Sequence, residues 1–412
     1  AYRRWFEQHR AKPGDLACQR VASVAFAYRP LVSIVVPCYK TDREYLRELL
    51  DSVLAQSYDN WELLLMDASP EWDAVAALAA GANDERIRRI ELPGNGGIVL
   101  NTNAGIERAT GDYVAFLDHD DILEPDALFQ YVSALNKAAE DKRPQVLFCD
   151  EDMFQKTGEW GQPVFKTRLN VDLLYSHNCV THFLMVEKAL IDRIGTSPED
   201  VAGAQDYDLT LRCLSADARF EHVAHVLYHW RVHPGSTADG SADSKPYAIE
   251  AGRLALQRHF NALDICGTVE ETETPFVYRM RYALPESAPL VSIVIPTKDH
   301  VETLDACVMS IAQKATYTNY EIVLVENNSE APETFAYYET LPERVAAASE
   351  GKGIARVVYW PGEFNYSQII NFGVKHAKGD YLLLLNNDTE VISPDFIEEM
   401  MGYLQRPDAG VV

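Results

Sequence analysis

Three carboxylates fall within four positions, directly after an apolar run, in the stretch FLDHDDILEP at residues 116–125. They belong to Asp118, Asp120 and Asp121. Carboxylates this close repel one another unless something positive lies among them, and a hard divalent cation with oxygen ligands is the usual answer. The competing interpretation is a solvated loop ahead of a helix that starts at Glu124-Pro125. The secondary structure predicted around this stretch decides between a metal site and a solvated loop.

Short apolar segments alternate with helical patterns around this acidic stretch. The patterns predict helices at 43–56, at 98–109 and from Pro125 onward, and strands at 31–37, 62–67, 86–92 and 113–118. This alternation predicts an α/β fold with a buried, mainly parallel sheet. In such sheets ligands bind beyond the carboxyl ends of the strands, which is where Asp67 and the acidic stretch fall. The position favours a binding site over a solvated loop.

Two segments of the chain return later in nearly the same form. PLVSIVVP at 30–37 recurs as PLVSIVIP at 289–296, and GDYVAFLDHD at 111–120 recurs as GDYLLLLNND at 379–388. The repeat predicts two homologous domains. We expect the chain to divide into an N-terminal helical extension over 1–29, a first complete domain over 30–265, a linker over 266–288 and a second, incomplete domain over 289–412.

Composition narrows the class of partners. The formal net charge of -25 argues against a nucleic-acid or anionic-membrane surface, so an anionic ligand must be held by a local device. The seven cysteines are scattered without a CxxC pair, which indicates a reducing compartment. No apolar run approaches the roughly 20 residues of a membrane-spanning helix, and no signal peptide is recognised. The missing initiator Met and the abrupt end in AGVV suggest a piece of a longer protein.

The glycine-rich turn PGNGGIV at 93–99 offers a different reaction class. A dinucleotide-binding fingerprint requires GxGxxG after the first strand, but Val99 occupies the third glycine position and two strands precede the turn. A nicotinamide-dependent dehydrogenase is therefore a weak alternative. The simpler interpretation is a tight turn that brings backbone close to a ligand, with Asn101 and Asn103 as hydrogen-bond donors on the next helix.

The order of the motifs resembles a known family. PCYKT, Asp67, GNGGIVLNTNAG and FLDHDD are followed by FCDEDM at 148–153, FK at 165–166, SHN at 176–178, GAQDYDL at 203–209 and LYHWRVHPGS at 227–236. Together they resemble family-2 glycosyltransferases, and in particular the often double-domain bacterial enzymes that build O-antigen and related surface polysaccharides, including rhamnosyltransferases. The resemblance covers residues 30 to about 260 and part of 289–412. It implies a GT-A fold, which is a Rossmann-like mixed and mainly parallel sheet with flanking helices, here in a tandem repeat whose second copy is truncated.

The same resemblance implies an activity and a donor site. The expected reaction is inverting transfer of a sugar from a UDP- or dTDP-linked donor to a glycan or lipid-linked glycan, assisted by Mn²⁺ or Mg²⁺. Asp118, Asp120 and His233 would bind the metal, and Asp67 would recognise the base. CYK at 38–40 departs from the commoner valine-tyrosine-asparagine version of the pocket. The implied donor-binding residues are Pro37, Cys38, Tyr39, Asp67, Asn95, Gly97, Asn103, Asp118 and His119.

The resemblance also assigns the acceptor side. Asp206 in GAQDYDL matches the position of the base that takes the proton of the acceptor hydroxyl. The competing interpretation is that Asp206 and Asp208 cap a helix. Glu151, Asp152 and Trp230 are expected to contact the acceptor, although a tryptophan here would also suit the core.

Four histidines, His222, His225, His229 and His233, lie close together in the sequence. The segment has a strand pattern, and their spacing does not place all four on one face. A four-histidine metal site is therefore not expected. His233 is the preferred third metal ligand, with His229 as second choice.

The second copy is expected to hold only a donor half. Glu326 and Asp388 match Asp67 and Asp120, but the chain continues only a short way past Asp388, whereas Asp206 lies far beyond Asp120. We therefore expect one complete site. The expected location is the cytoplasm, with peripheral association with the inner membrane or with assembly proteins as an option. A sugar-nucleotide-binding scaffold without catalysis is the alternative from another class.

Overall fold

A computed structural model describes residues 1–155, 160–233 and 246–412. The chain divides into two compact units, one of Ala1–Ile265 with Val269–Met280 and the other of Cys266–Thr268 with Arg281–Val412. Within the described residues, no helix is both long enough and apolar enough to cross a bilayer.

The first unit alternates strands and helices as the sequence predicts. Its strands are Val32–Cys38 (β1), Trp61–Asp67 (β2), Ile87–Glu91 (β3), Tyr113–Phe116 (β4), Ile122–Leu123 (β5), Val146–Gln155 (β6), Trp160–Val164 (β7), Met185–Glu187 (β8) and Phe220–Val232 (β9). Its α-helices are Tyr2–His9 (α1), Pro13–Val24 (α2), Arg43–Leu54 (α3), Ala74–Ala82 (α4), Gly97–Arg108 (α5), Ala127–Lys137 (α6), Val171–Ser176 (α7), Lys188–Ile194 (α8), Gln205–Ser215 (α9) and Pro246–Ala262 (α10). Two short 3₁₀ helices lie at Glu140–Lys142 and Glu199–Val201.

One mixed sheet organises this unit. The strand order is β3-β2-β1-β4-β8-β6-β9-β5, and β7 pairs with β6 at the side. The β3-β2-β1-β4 half is wholly parallel, and so is the long β6-β9 pair, whereas β5, β7 and β8 pair antiparallel to their neighbours. Every residue of β1 and β2 is buried because helices cover both faces of the sheet. The predicted α/β class with a mainly parallel sheet is confirmed.

The element bounds differ from the sequence prediction mainly around the acidic stretch. Strand β4 ends at Phe116 rather than at Asp118, because the chain then turns and the Asp121 N–H donates to the Asp118 carbonyl at 3.2 Å. The following helix, α6, begins at Ala127, two residues beyond Pro125. The short strand β5, which lies between β4 and α6, was not predicted. The turn thus places the carboxylates beyond the end of the strand.

The second unit contains a smaller, wholly parallel sheet. Its strands are Val291–Thr297 (β12), Tyr320–Glu326 (β13), Gly353–Tyr359 (β14) and Tyr381–Leu384 (β15), in the order β14-β13-β12-β15. Its helices are Val301–Lys314 (α11), Pro332–Ala348 (α12), Tyr366–His376 (α13) and Phe396–Leu404 (α14). The residues expected to form a linker include two strands, Gly267–Glu271 (β10) and Tyr278–Tyr282 (β11), which pair with each other.

A buried polar network fastens the amino-terminal end of the central strands in the first unit. The Ser33 hydroxyl donates to Glu62 Oε1 at 2.7 Å and accepts from the Gly111 N–H at 2.8 Å. Arg88 Nη1 pairs with the other oxygen of Glu62 at 2.7 Å. The second unit repeats this arrangement with Ser292, Glu321, Gly379 and Arg356. The repeat seen in the sequence therefore includes the polar contacts that align β1 with β2 and β12 with β13.

Close packing between α5 and β1 gives a stability prediction. A Cβ atom at Gly105 would lie 2.3 Å from Val35 Cγ1, so Gly105→Ala must displace the strand or the helix. We expect this overpacking to lower the free energy of unfolding by about 1–3 kcal/mol, measured by urea unfolding. Gly81→Ala is the matched control, because Gly81 also lies in a helix and a Cβ there meets nothing within 4 Å. Equal stability of the two variants would contradict the packing.

Candidate active site

A cleft at the carboxyl ends of β1 and β4 brings together four of the predicted functional residues, Pro37, Asn103, Asp118 and Asp206. The cavity within it has a volume of about 80 Å³. Pro37 and Phe116 form part of its apolar wall. Its polar lining comes from α5, from the turn after β4, from the segment before β8 and from the start of α9, and includes Asn103, Asp118, Asn178, His182, Gln205 and Asp206.

Asp118 is the carboxylate of the acidic stretch that opens into this cleft. Its side chain is accessible from the cleft, yet protein surrounds it on the other sides. Burial raises the pKa of Asp118, and the nearby Asp120 raises it further, while His182 and His119 act in the opposite direction. The remaining repulsion between Asp118 and Asp120 identifies this pair as a place where an added cation would be stabilised.

Asp120 lies beside His233, as the metal prediction requires. His233 Nε2 is 2.7 Å from Asp120 Oδ2, and His119 Nδ1 is 4.0 Å from Asp120 Oδ1. Two carboxylates and an imidazole are donor types that suit a divalent ion such as Mn²⁺. However, no group of three or more histidine, cysteine, aspartate or glutamate side chains in the described part of the chain is arranged to hold a metal ion.

Asp121 is buried and holds the turn against β9. It accepts hydrogen bonds from the Tyr228 hydroxyl and, at 2.7 Å, from the Arg231 N–H. Burial raises the pKa of Asp121 well above its usual range, and Asp120 and Asp118 raise it further. The third carboxylate of the stretch is therefore structural.

Asp206 is half-buried in the first turn of α9 and lines the cleft. Asn178 Nδ2 donates to Asp206 Oδ2 at 3.0 Å, which fixes the orientation of the carboxylate. Burial raises the pKa of Asp206, and His182 opposes that rise. The N-cap residue of α9 is Ala204, and Asp208 is buried in a pair with Arg212. The Asp206 carboxylate also accepts hydrogen bonds from first-turn backbone N–H groups, including that of Tyr207, and these lower its pKa.

His182 belongs to the cleft but was not identified from the sequence. Its Nδ1 is 3.1 Å from Glu151 Oε2, its backbone N–H donates to the same oxygen at 2.8 Å, and its ring stacks on Tyr228. Burial tends to lower the pKa of His182, but Glu151, Asp118 and Asp121 outweigh it and raise the pKa to about 9. A single histidine before a strand has no spacing pattern, so only its neighbours in space reveal it.

A second group of charges lies buried beneath the acidic stretch. His229 Nδ1 is 2.6 Å from Asp152 Oδ1, and His229 Nε2 is 3.0 Å from Glu124 Oε1. Helix α1 completes the group, because the Tyr2 hydroxyl donates to Asp152 and Arg10 pairs with Glu124 at 2.6 Å. Both ring nitrogens of His229 are bonded within the protein, so His233 rather than His229 is the histidine of this segment that lies beside Asp120.

The three residues expected at the acceptor have different surroundings. Asp152 is fully buried and paired inside the protein, so the expected contact between Asp152 and an acceptor is not seen. Glu151 is buried with Lys166 at 2.8 Å but borders a groove next to the cleft. Trp230 is half-buried, packs against the core and has its ring centroid 5.1 Å from that of His182.

The residues predicted to bind the nucleoside are only partly open. Asp67 is fully buried and accepts from Arg89 Nε at 2.8 Å and from the Ser69 N–H at 3.1 Å. Cys38 is also buried, which raises the pKa of its thiol to about 12, whereas Tyr39 is exposed. Asp67 therefore stands as a buried, paired carboxylate, and its base-recognition role stays a prediction.

The glycine-rich turn is built by side-chain to backbone contacts. Asn95 Oδ1 accepts from the Gly97 N–H at 2.9 Å and from Asn101 Nδ2 at 3.0 Å. Gly97 has φ +83°, a conformation that favours glycine. Asn103 lines the cleft and donates to the Ser197 carbonyl at 2.8 Å.

In the second unit, the residues that match the donor site lie at corresponding strand ends. Glu326 pairs in register with Thr297, as Asp67 does with Cys38. Glu326 is buried and accepts from the Ser329 N–H, while Asp388 is exposed.

The model of the family described as Glycosyl transferase family 2 matches residues 33–195 and 292–412. The chain belongs to glycosyl transferase family 2. Membership gives the GT-A type of α/β fold that the sheet displays and replaces the dehydrogenase alternative.

Two curated relatives match nearly the whole chain. The uncharacterised protein y4gI of Sinorhizobium fredii is 38% identical over 423 residues, which cover 100% of this chain and 44% of the relative. The O-antigen biosynthesis protein RfbC of Myxococcus xanthus is 34% identical over 404 residues, covering 97% of this chain and 30% of the relative. The chain therefore spans less than half the length of either relative.

Solved structures with similar folds are more distant. Staphylococcus aureus TarS 1-349 in complex with UDP-GlcNAc has a TM-score of 0.43 at 20% identity, with 56% of this chain and 72% of that chain covered. The mannosyltransferase PcManGT of Pyrobaculum calidifontis, in complex with GDP-Man and Mn²⁺, has a TM-score of 0.40 at 18% identity, with 61% and 82% covered.

The buried contacts of His229 with Asp152 and Glu124 give a prediction of how stability depends on pH. Hydrogen bonds to Asp152 and Glu124 overcome the effect of burial and raise the pKa of His229 to about 9, above its unfolded value of about 6.5. This contribution to stability is complete below the unfolded pKa and is lost as pH rises through the folded pKa. We expect the free energy of unfolding to fall by on the order of 1–3 kcal/mol from neutral to strongly alkaline pH, measured by urea unfolding.

His229→Gln is the informative variant for this prediction. It should be less stable than the wild type at neutral pH but should show a flatter dependence on pH, because the titrating ring is gone. A variant that keeps the full wild-type slope would assign the titration to other groups.

Proposed function

We propose that the first unit is an inverting glycosyltransferase that moves a hexosyl or deoxyhexosyl group from a UDP- or dTDP-linked donor to a growing surface glycan. The observation that carries this proposal is that Asp118 and Asp206 line the same cleft in a chain of this family. The cleft lies at the carboxyl ends of β1 and β4. Asp118 suits the donor side, and Asp206 suits the acceptor side.

Asp206 is the proposed base. It takes the proton of the acceptor hydroxyl as that oxygen bonds to the anomeric carbon, while the electron pair of the old glycosidic bond leaves with the nucleoside diphosphate. Asn178 orients the carboxylate for this step. A single displacement with one base inverts the anomeric configuration.

The proposed donor site uses the strand ends and the glycine-rich turn. Pro37 and Asn103 line the cleft itself. The residues assigned with them on the strength of the family resemblance are Cys38, Tyr39, Asp67, Asn95, Gly97 and His119. Asp67 would have to exchange part of its bonding with Arg89 or Ser69 to contact a base.

A divalent cation, Mn²⁺ or Mg²⁺, fits the donor types of Asp118, Asp120 and His233. When bound there, it would supply positive charge against the charge that grows on the leaving diphosphate. The protein's own part would be to hold the two carboxylates near the imidazole of His233, which directly follows β9, and His233 Nε2 lies 2.7 Å from Asp120 Oδ2.

The product is proposed from the relatives. RfbC of Myxococcus xanthus carries the name of an O-antigen biosynthesis protein and matches 97% of this chain. We therefore propose a surface glycan, free or lipid-linked, as acceptor, and a cytoplasmic site of action with peripheral membrane or assembly-protein contact as an option. A non-catalytic scaffold remains the alternative: a scaffold would protect the donor, whereas a transferase releases nucleoside diphosphate.

The second unit is proposed to be the donor half of a second domain of the same kind. Its sheet repeats the parallel order of β3-β2-β1-β4, and the family match includes residues 292–412. Glu326 and Asp388 stand at the positions of Asp67 and Asp120. The proposed division remains an N-terminal helical extension, a first complete domain, a connecting segment and this second domain.

The base assignment is tested by Asp206→Asn. The variant keeps shape and one hydrogen bond but cannot accept the proton, so we expect the transfer rate to fall by roughly 100-fold or more while donor affinity hardly changes. The rate is measured as release of nucleoside diphosphate, and the affinity by calorimetry. The exposed Asp192→Asn, outside the cleft, is the control. Wild-type transfer by Asp206→Asn would rule out the assignment.

The metal assignment is tested by chelation. We expect transfer to stop in excess EDTA and to return with Mn²⁺ or Mg²⁺, and Asp120→Asn to weaken donor binding in the presence of the metal, because one of the charged ligands is gone. Release of nucleoside diphosphate measures transfer and calorimetric titration of the donor measures binding, with Asp192→Asn again as the control. Full activity in EDTA would instead show transfer without a metal.

A further inference from the structure

The cleft contains one basic side chain. Among the described residues that line it, none is lysine or arginine, and His182 is the only histidine. Asp118 and Asp206 line the same cleft and are acidic. A nucleoside diphosphate bound in this cleft would carry negative charge on both phosphates. His182 is therefore the side chain of the cleft lining that could bind those phosphates through a positive charge, and its position and hydrogen bonds decide whether it can.

The ring of His182 is held from one side. Glu151 accepts from Nδ1 at 3.1 Å, and the Tyr228 ring stacks on the imidazole with centroids 4.7 Å apart and planes 12° apart. Nε2 makes no hydrogen bond to any group in the described part of the chain. The ring is thus oriented by protein at one nitrogen and available to a ligand at the other.

The charges around His182 keep a proton on both nitrogens. Glu151, Asp118 and Asp121 together raise the pKa of His182 to about 9 against the effect of burial, and Asp206 is a further acidic group that interacts with it. The side chain of Lys166 is buried, its ammonium group donates to Glu151 and to the His182 carbonyl, and it does not line the cleft. Nε2 is therefore a hydrogen-bond donor at neutral pH.

We propose that His182 is a donor-binding residue, whose Nε2–H donates to the sugar-linked phosphate of the nucleoside diphosphate part of the donor. The inference rests on the proposed function, because it takes the cleft to be the donor site. As the glycosidic bond breaks, its electron pair stays on the diphosphate oxygen, and the hydrogen bond from His182 strengthens with that charge. His182 keeps its proton throughout.

Calorimetric titration of nucleotides separates this role from a structural one. The wild type is first titrated with UDP, dTDP and GDP in the presence of Mn²⁺, and the diphosphate that binds is carried forward with its monophosphate. We expect His182→Gln to bind that diphosphate roughly tenfold or more weakly, since a charge-assisted hydrogen bond is lost. The loss should be smaller for the monophosphate, and His182→Lys, which restores a cation, should recover part of the affinity.

His177→Gln is the matched control. His177 lies five residues away and lines the neighbouring groove but not the cleft, so its substitution should leave both affinities unchanged. Circular dichroism and melting temperature establish that each variant is folded.

The outcomes distinguish the two proposals. If the wild type binds none of the three diphosphates, the proposed donor site fails. If the wild type binds one, but His182→Gln binds it equally well, or loses the same factor for diphosphate and monophosphate, then His182 serves only to balance buried charge and the inference is overturned.

Discussion

Repulsion among the carboxylates that follow β4 is the constraint on which the site depends. Asp118, Asp120, Asp121 and Glu124 lie within seven consecutive positions, and β9 together with His233, the residue directly after it, supplies a separate partner to three of them. Tyr228 and the Arg231 N–H bind Asp121, His229 binds Glu124, and His233 binds Asp120. Without β9 beside it, the turn after β4 would have to unfold or take up protons, because several of these carboxylates are buried.

The carboxylates divide by depth into two roles. Those that are buried, Asp121, Glu124 and Asp152, are each matched by donors inside the protein and stabilise the fold. Asp118 and Asp206 instead line the cleft, where burial raises both pKa values. Carboxylates kept in a cleft at this cost are typical of functional sites, where a ligand or a reacting proton completes the balance.

Local patterns predicted the sheet and much of the cleft. The strands before Asp67 and Asp118 were placed within about two residues of their ends, because buried parallel strands have an apolar pattern that needs no long-range information. The pairing of Asp152 with Tyr2 joins residues 150 positions apart, and no spacing rule reports such a contact. For the same reason, the sequence did not predict that His182 lies in the cleft or that Asp67 pairs with Arg89.

Helix α1 has a consequence for anyone who shortens this chain. Its residue Tyr2 and Arg10, which directly follows it, close one side of the buried group around His229, and Phe6 packs edge-on against the same ring at 5.5 Å. A version trimmed to begin at β1 would let water reach Asp152 and Glu124, and the loosened β9 would then hold the acidic turn less firmly. The amino-terminal helix therefore supports the residues beneath the cleft. A chain shortened for crystallisation or fused to a tag should retain this helix.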